Sequence, residues 1–319
     1  MPGPRLIYSP SYNLGFPGWQ RLHPFDLRKY GRAMAVLLQS GAVTRADVDE
    51  PRPVNEADLL RVHTRAYLDR LRDMAYVAAA LEVPQAARLP RAIVERFVLR
   101  PMRWATGGTI LAVERALLHG LAINIGGGFH HASRDRAEGF CIYCDIALAI
   151  EAAQRGGLSG TILYVDLDAH QGNGVERVFV DDRSVAVLDA YNSFIYPCDQ
   201  DAKRAIRWDV PLRPMTGGTE YLEKVRSHLE WALHEVKPVL MIYNAGTDIL
   251  AGDPLGGLDV PYDAVLERDR LVLDAAVGRS IPCAMVTSGG YTEQSHRLIA
   301  ETAAYAARKW GGRRGTAPG

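Results

Sequence analysis

The stretch ILYVDLDAHQGNG, residues 162–174, begins apolar, as a buried strand should, and then sets Asp166, Asp168 and His170 at alternate positions. Residues two apart on an extended chain share a face. Asp168 and His170 can therefore offer a carboxylate oxygen and an imidazole nitrogen to one ion. Asp248, in NAGTD at the end of another apolar run, supplies a third ligand. Two oxygens and one nitrogen, with a fourth position left for water, make the donor set of a catalytic zinc site. Strand-end acids also cap helices or pair with arginines. That account serves a single Asp well, but three ligand-type residues at one rim less well.

Acid/base chemistry is suggested by GGGFHH, residues 126–131. The glycines give up side-chain contacts and let backbone or ligand come close, so His130 and His131 look less like packing than like reacting groups. A metal-activated water, its pKa lowered toward about 7, still gains from a base that takes its proton and an acid that protonates the leaving group. Asp166 shares the face of Asp168 and His170 and is placed to orient His130, with Asn173 doing the same for His131. Tyr291, in SGGYTEQS, could donate a hydrogen bond to the oxygen of a carbonyl under attack. A tyrosine that starts a helix is most often packing; here the other three loops give it a role.

These residues need elements that bring them together. Helical segments alternate with short apolar runs: TILAVERALLHG then LAINI, DIALAIEAAQRGG then TILYVDLD, EYLEKVRSHLEWALHEV then PVLMIYNAG, and YDAVLERDRLVLDAAVGRS then IPCAMVTSGG, with VAVLDA at 185–190 as a further strand. This pattern predicts an α/β fold with a parallel sheet and helices on both faces. The four apolar runs end in NIGGGFHH, DLDAH, NAGTD and TSGGY, so the unusual residues fall at the carboxyl ends of the strands, where open α/β sheets bind ligands. One domain over residues 1–310 is expected, after the final helix TEQSHRLIAETAAYAARKW, with residues 311–319 as a frayed tail.

Composition narrows the class. Thirty-seven basic side chains balance 37 acidic ones and 48% of residues are hydrophobic, which fits a globular protein and gives no argument for a nucleic-acid groove or an anionic membrane surface. The N-terminal MPGPRLIYSPSYNLGF lacks the apolar core of a signal peptide, and no run reaches the roughly 18 to 20 apolar residues that span a bilayer. A cytoplasmic location is expected. Cys141, Cys144, Cys198 and Cys283 are too few for a disulfide framework and are expected as reduced thiols. CIYC has the CxxC spacing but lacks a second pair for zinc or a preceding strand of the thioredoxin-like kind.

Taken together, GGGFHHASRDRAEGFCIYCDIALA, YVDLDAHQGNGVERVF, YNAGTDILAGDPLGGL and TSGGY closely resemble the zinc-dependent histone deacetylases, which share the arginase/deacetylase fold. The likeness is specifically to the class IV branch and extends through YSPSYNLGFPGWQRLHPFDLRKYG, HTRAYLDRL, VLRPMRWATGGT and DAYNSFIYPCDQDAKRAI, nearly the whole chain. It implies one zinc ion per chain on Asp168, His170 and Asp248. It also implies catalytic roles for His130, His131 and Tyr291, supported by Asp166 and Asn173. An acyl-lysine tunnel follows, walled by Gly139 and Phe140 and faced by Tyr196, with Gly289 and Gly290 beside Tyr291. The resemblance further implies a monovalent cation, usually potassium, on backbone carbonyls of the DLDAH segment.

The implied activity is hydrolysis of Nε-acyl-lysine amides, long fatty acyl groups included. The close alternative is an amidohydrolase of small acylated amines such as acetylpolyamines, and a non-catalytic acyl-lysine binder is a third reading. Two-manganese ureohydrolases need a second close set of aspartates, and Asp248 and Asp253 are five residues apart. Two departures stand out. Asn173 replaces the aspartate many relatives place behind the second histidine, and no clear counterpart exists to the loop aspartate that grips the substrate backbone.

Overall fold

Eight strands form one all-parallel sheet in the computed structural model, which describes residues 3–13 and 28–311. Residues 14–27 of the YSPSYNLGF segment and residues 312–319 of the tail lie outside the described residues. The strands are Arg5–Ile7 (β1), Val48–Asp49 (β2), Leu121–Asn124 (β3), Ile162–Asp166 (β4), Val185–Asn192 (β5), Ile206–Leu212 (β6), Leu240–Asn244 (β7) and Cys283–Val286 (β8). Their order is β2-β1-β3-β8-β7-β4-β5-β6.

Five of these strands coincide with the predicted apolar runs, and each of the five is buried along its whole length. The cause is a helix layer on either face, which leaves no solvent side for polar residues to face. The Arg100–His119, Asp145–Arg155 and Asn173–Phe179 helices pack together as one layer. The Lys29–Gln39, Gly218–Val236, Tyr262–Gly278 and Ser295–Trp310 helices form the other.

Three strands were not predicted. β1 and β2, three and two residues long, are too short to show a period. β6 sits at the sheet edge and alternates buried with exposed residues, its Pro211 tolerated there because an edge strand needs fewer ladder donors.

The central neighbours β3, β8, β7, β4 and β5 matter most for function. Asp166 is in register with Asn244, and Asn244 with Val286. These strands therefore end level, and their outgoing loops emerge side by side. Among the described residues no helix is long and apolar enough to cross a membrane.

Candidate active site

Asp168, His170 and Asp248 converge as the sequence spacing predicts, with one ligand atom from each lying within 4.8 Å of the others. His170 Nδ1 is 3.1 Å from Asp168 Oδ1 and 3.0 Å from Asp248 Oδ2. All three side chains are buried. Backbone amides hold the carboxylates in place: Gly289 N–H donates to Asp168 Oδ2 at 2.9 Å and Ala169 N–H to Asp248 Oδ1 at 2.9 Å.

The charges of this cluster favour a cation. Burial and the Asp168 carboxylate together push Asp248 up to about 7. Asp168 resists burial because His130 and His170 hold it well below the usual carboxylate range. Two neighbouring buried carboxylates that cannot both ionise freely are relieved by a bound positive charge. Two oxygens and an imidazole nitrogen suit zinc. Asp253 does not extend the cluster, because its carboxylate accepts the N–H groups of Leu255, Gly256 and Tyr291.

The two histidines stand beside this cluster with ring centroids 4.1 Å apart. His130 Nδ1 lies 2.9 Å from Asp166 Oδ2, and His131 Nδ1 lies 2.7 Å from Asn173 Oδ1. Asn173 cannot be turned around, since its Nδ2 donates to Glu138 Oε1 at 2.8 Å and a carboxylate only accepts. His131 must then carry its proton on Nδ1, which leaves the Nε2 lone pair free as a base.

Their protonation diverges accordingly. Burial works against charge on His130, yet the Asp166 and Asp168 carboxylates outweigh it and lift the pKa to about 9. His131 is pushed well below the ordinary range by burial and by the neighbouring His130 and His170.

A narrow cavity leads to these groups, lined by Phe129, His130, His131, Gly139, Phe140, Asp168, Gly289 and Tyr291 among others. Gly139, at φ +52, brings the backbone so close that a Cβ there would stand 2.4 Å from the His131 ring. At Gly289 a Cβ would meet Asp248 Oδ2 at 2.4 Å and Asp168 Oδ2 at 2.6 Å. A side chain at either position would push into the reacting groups. Tyr196 is not among the lining residues; its ring packs edge-on at 5.1 Å from that of His131 and is 42% exposed. Gly290 likewise lies outside the lining and packs against Thr247 and Ser295.

Tyr291 is half-buried, with its ring edge-on to His170 at 6.4 Å between centroids. Burial, with the Asp248 and Asp168 carboxylates nearby, holds its phenol well above the usual tyrosine range, so it stays a donor.

Several positioning residues escaped the sequence. Asp145 accepts the N–H groups of Gly128 and Phe129 at 2.8 Å each and so shapes the turn into His130. Asn244 Nδ2 and the Tyr164 hydroxyl donate to Asp166 at 2.8 and 2.5 Å. Lys29 is buried and donates from Nζ to Ser288 O at 2.6 Å, beside Tyr291. Asp145, Asn244 and Lys29 act through partners far away in the chain, so no local spacing marks them, while Tyr164 lies in the middle of an apolar run and reads as core. The cysteines carry no disulfide, and Cys141, Cys144 and Cys283 are buried.

The family model of the histone deacetylase domain matches residues 23–307. Histone deacetylase 2 of Arabidopsis thaliana is 45% identical over 297 residues, covering 93% of this chain and 77% of its own. The histone deacetylase-like amidohydrolase of Pseudomonas aeruginosa is 27% identical over 274 residues, covering 82% of this chain and 70% of its own. The crystal structure of an HDAC homolog complexed with SAHA superposes with a TM-score of 0.75 at 26% identity, covering 98% of this chain and 84% of that one.

Proposed function

This chain belongs to the histone deacetylase family, a metal-dependent family of hydrolases, and from that premise we propose that it hydrolyses Nε-acyl-lysine amides with one zinc ion per chain. The observation that carries the reading is a narrow cavity lined by Asp168 of the three-ligand cluster, by a neutral histidine with a free Nε2 and by a protonated phenol. Asp168, His170 and Asp248 would hold the ion. When bound, it lowers the pKa of a water and polarises the acyl carbonyl.

The chain's own residues carry the protons. His131 Nε2 takes a proton from the attacking water, with Nδ1–H anchored on Asn173. The Tyr291 hydroxyl donates to the carbonyl oxygen as negative charge gathers there. His131 then returns its proton to the departing lysine amine. His130, held charged by Asp166, stays beside the reacting centre as a fixed positive charge. Phe140 walls the passage for the aliphatic lysine stem beside Gly139, whose lack of a side chain lets the backbone come close to His131, and Tyr196 packs edge-on against that ring. The reading includes a potassium ion on backbone carbonyls of the Asp166–His170 segment. It also includes class IV membership, supported by Asn173 behind His131, and with it the removal of long fatty acyl groups.

The test is side-by-side kinetics of the zinc-loaded protein on acetyl-lysine peptide, myristoyl-lysine peptide and acetylspermidine, repeated after chelation and with a hydroxamate. Chelator- and hydroxamate-sensitive turnover of an acyl-lysine peptide is expected. Turnover of acetylspermidine alone would move the assignment to small acylated amines, and turnover of none would sink it.

A further inference from the structure

Arg268, in the middle of the Tyr262–Gly278 helix, is fully buried behind the metal ligands. Its Nη1 donates to two backbone carbonyls at once, Leu167 O at 3.0 Å and Gly246 O at 2.6 Å. Nε donates to Asp269 Oδ1 at 2.9 Å, and Nη2 lies 2.7 Å from the same oxygen. Asp269 is gripped in turn by the Tyr243 hydroxyl at 2.5 Å and the Thr302 hydroxyl at 2.6 Å. The guanidinium is thus charge-balanced on one edge, fixed in its plane and free to hold the two carbonyls with the other.

Those carbonyls belong to the two loops that carry the ligands. Leu167 stands between Asp166 and Asp168, and Gly246 lies two residues before Asp248. Each of the two peptide planes is also pinned at its amide end. Asp168 N–H donates to Asp166 Oδ1 at 3.1 Å, and Thr247 N–H donates to Gly289 O at 3.1 Å. A planar peptide held at both its oxygen and its nitrogen has little rotation left. The direction in which the Asp168 side chain leaves its backbone follows from the first plane, and the path into Asp248 from the second.

We propose that Arg268 is a positioning residue for the metal: by gathering the Leu167 and Gly246 carbonyls on one nitrogen it sets the spacing of Asp168 and Asp248. This rests on the assignment of Asp168, His170 and Asp248 as metal ligands. The plainer role of a buried Arg–Asp pair is to fasten a helix to the sheet, which would leave the metal unaffected.

Cobalt separates the two, because its visible absorption reports ligand geometry and its binding needs no turnover. Apo protein is titrated with Co²⁺, with thermal unfolding measured in parallel, for wild type, Arg268→Lys, Asp248→Ala and the double variant Arg268→Met/Asp269→Asn. The double variant removes both charges together, so none is left buried alone, and Arg268→Lys keeps a cation opposite Asp269. Wild type should bind one Co²⁺ in a way that Asp248→Ala abolishes. The double variant and Arg268→Lys should fold yet bind about 10- to 100-fold more weakly, the usual range for groups that orient ligands, with an altered spectrum. Unchanged affinity and spectrum in a folded Arg268 variant would overturn the role of Arg268 alone. Should the double variant not fold, Arg268→Lys decides by the same criterion. Wild type that binds no Co²⁺ through Asp248 would overturn the metal assignment and this inference with it.

Discussion

His130 and His131 are adjacent in the chain and nearly in contact, yet one rests on a carboxylate and the other on an amide. On the Asp166 side that carboxylate, buttressed by Asn244 and Tyr164, together with Asp168 raises the pKa of the imidazole to about 9. On the Asn173 side a neutral oxygen orients the ring but does too little to offset burial and the neighbouring histidines, and the amide's other end is committed to Glu138. Nearest neighbours along the backbone thus diverge: nearby carboxylates outweigh burial at His130, whereas burial and the neighbouring imidazoles prevail at His131, where only an amide opposes them. Under the proposed mechanism, the base and the fixed positive charge come from one residue type.

The strongest way to break this contrast is to remove each histidine in turn. His131→Ala should lower kcat/KM by about 10²- to 10⁴-fold, the usual scale for a general acid/base, with zinc content unchanged by elemental analysis. His130→Ala should fall less. A variant series in which His131→Ala is the milder of the two reverses the proposed roles.

A smaller effect comes from making the two sides alike. Asn173→Asp puts a carboxylate behind His131, and where it ionises it raises the pKa of that ring. Because the ring must be neutral to act as base, the acidic limb of the pH–rate profile should move to higher pH. The same change loses the amide donor to Glu138 and sets a carboxylate beside Glu138 and Asp199, which should cost about 1–3 kcal/mol of stability by chemical denaturation. An acidic limb that does not move would remove the electrostatic reason for the amide.

The smallest expected effect uses a third buried histidine as the control. His63 Nε2 accepts the Cys144 N–H at 3.1 Å, and burial lowers its pKa to about 4 with no carboxylate to oppose it. The unfolded chain, with a histidine pKa of about 6.5, takes the proton first. Its contribution to stability is therefore full above pH ~6.5 and is lost progressively as pH falls toward about 4. His63→Gln, which keeps an acceptor for the Cys144 amide, should flatten that part of the stability–pH curve. An unchanged slope would assign it to other groups.

Much of the site was legible because its residues sit at the ends of apolar runs. In a parallel sheet a run buried on both faces reveals itself by hydrophobicity alone, and the residues just past it must lie at the rim. Asp168, His170, Asp248, His130, His131 and Tyr291 were all placed there by that reasoning, and the structure brings them together. β6 was not legible, since an edge strand alternates like a surface segment. The Arg268–Asp269 pair was equally hidden: within YDAVLERDRLVLDAAVG it looks like one more charged turn on a solvated helix face.

What the sequence determined by itself is the chemistry available at each strand end, because side-chain type and a period of two need no partner to be read. Which nitrogen of His131 is the base was decided only by the tertiary structure, through Glu138 fixing the amide of Asn173. So was the burial of Arg268 against Leu167 and Gly246. Orientation depends on hydrogen bonds between residues dozens of positions apart, and a linear pattern holds no measure of which distant groups will meet.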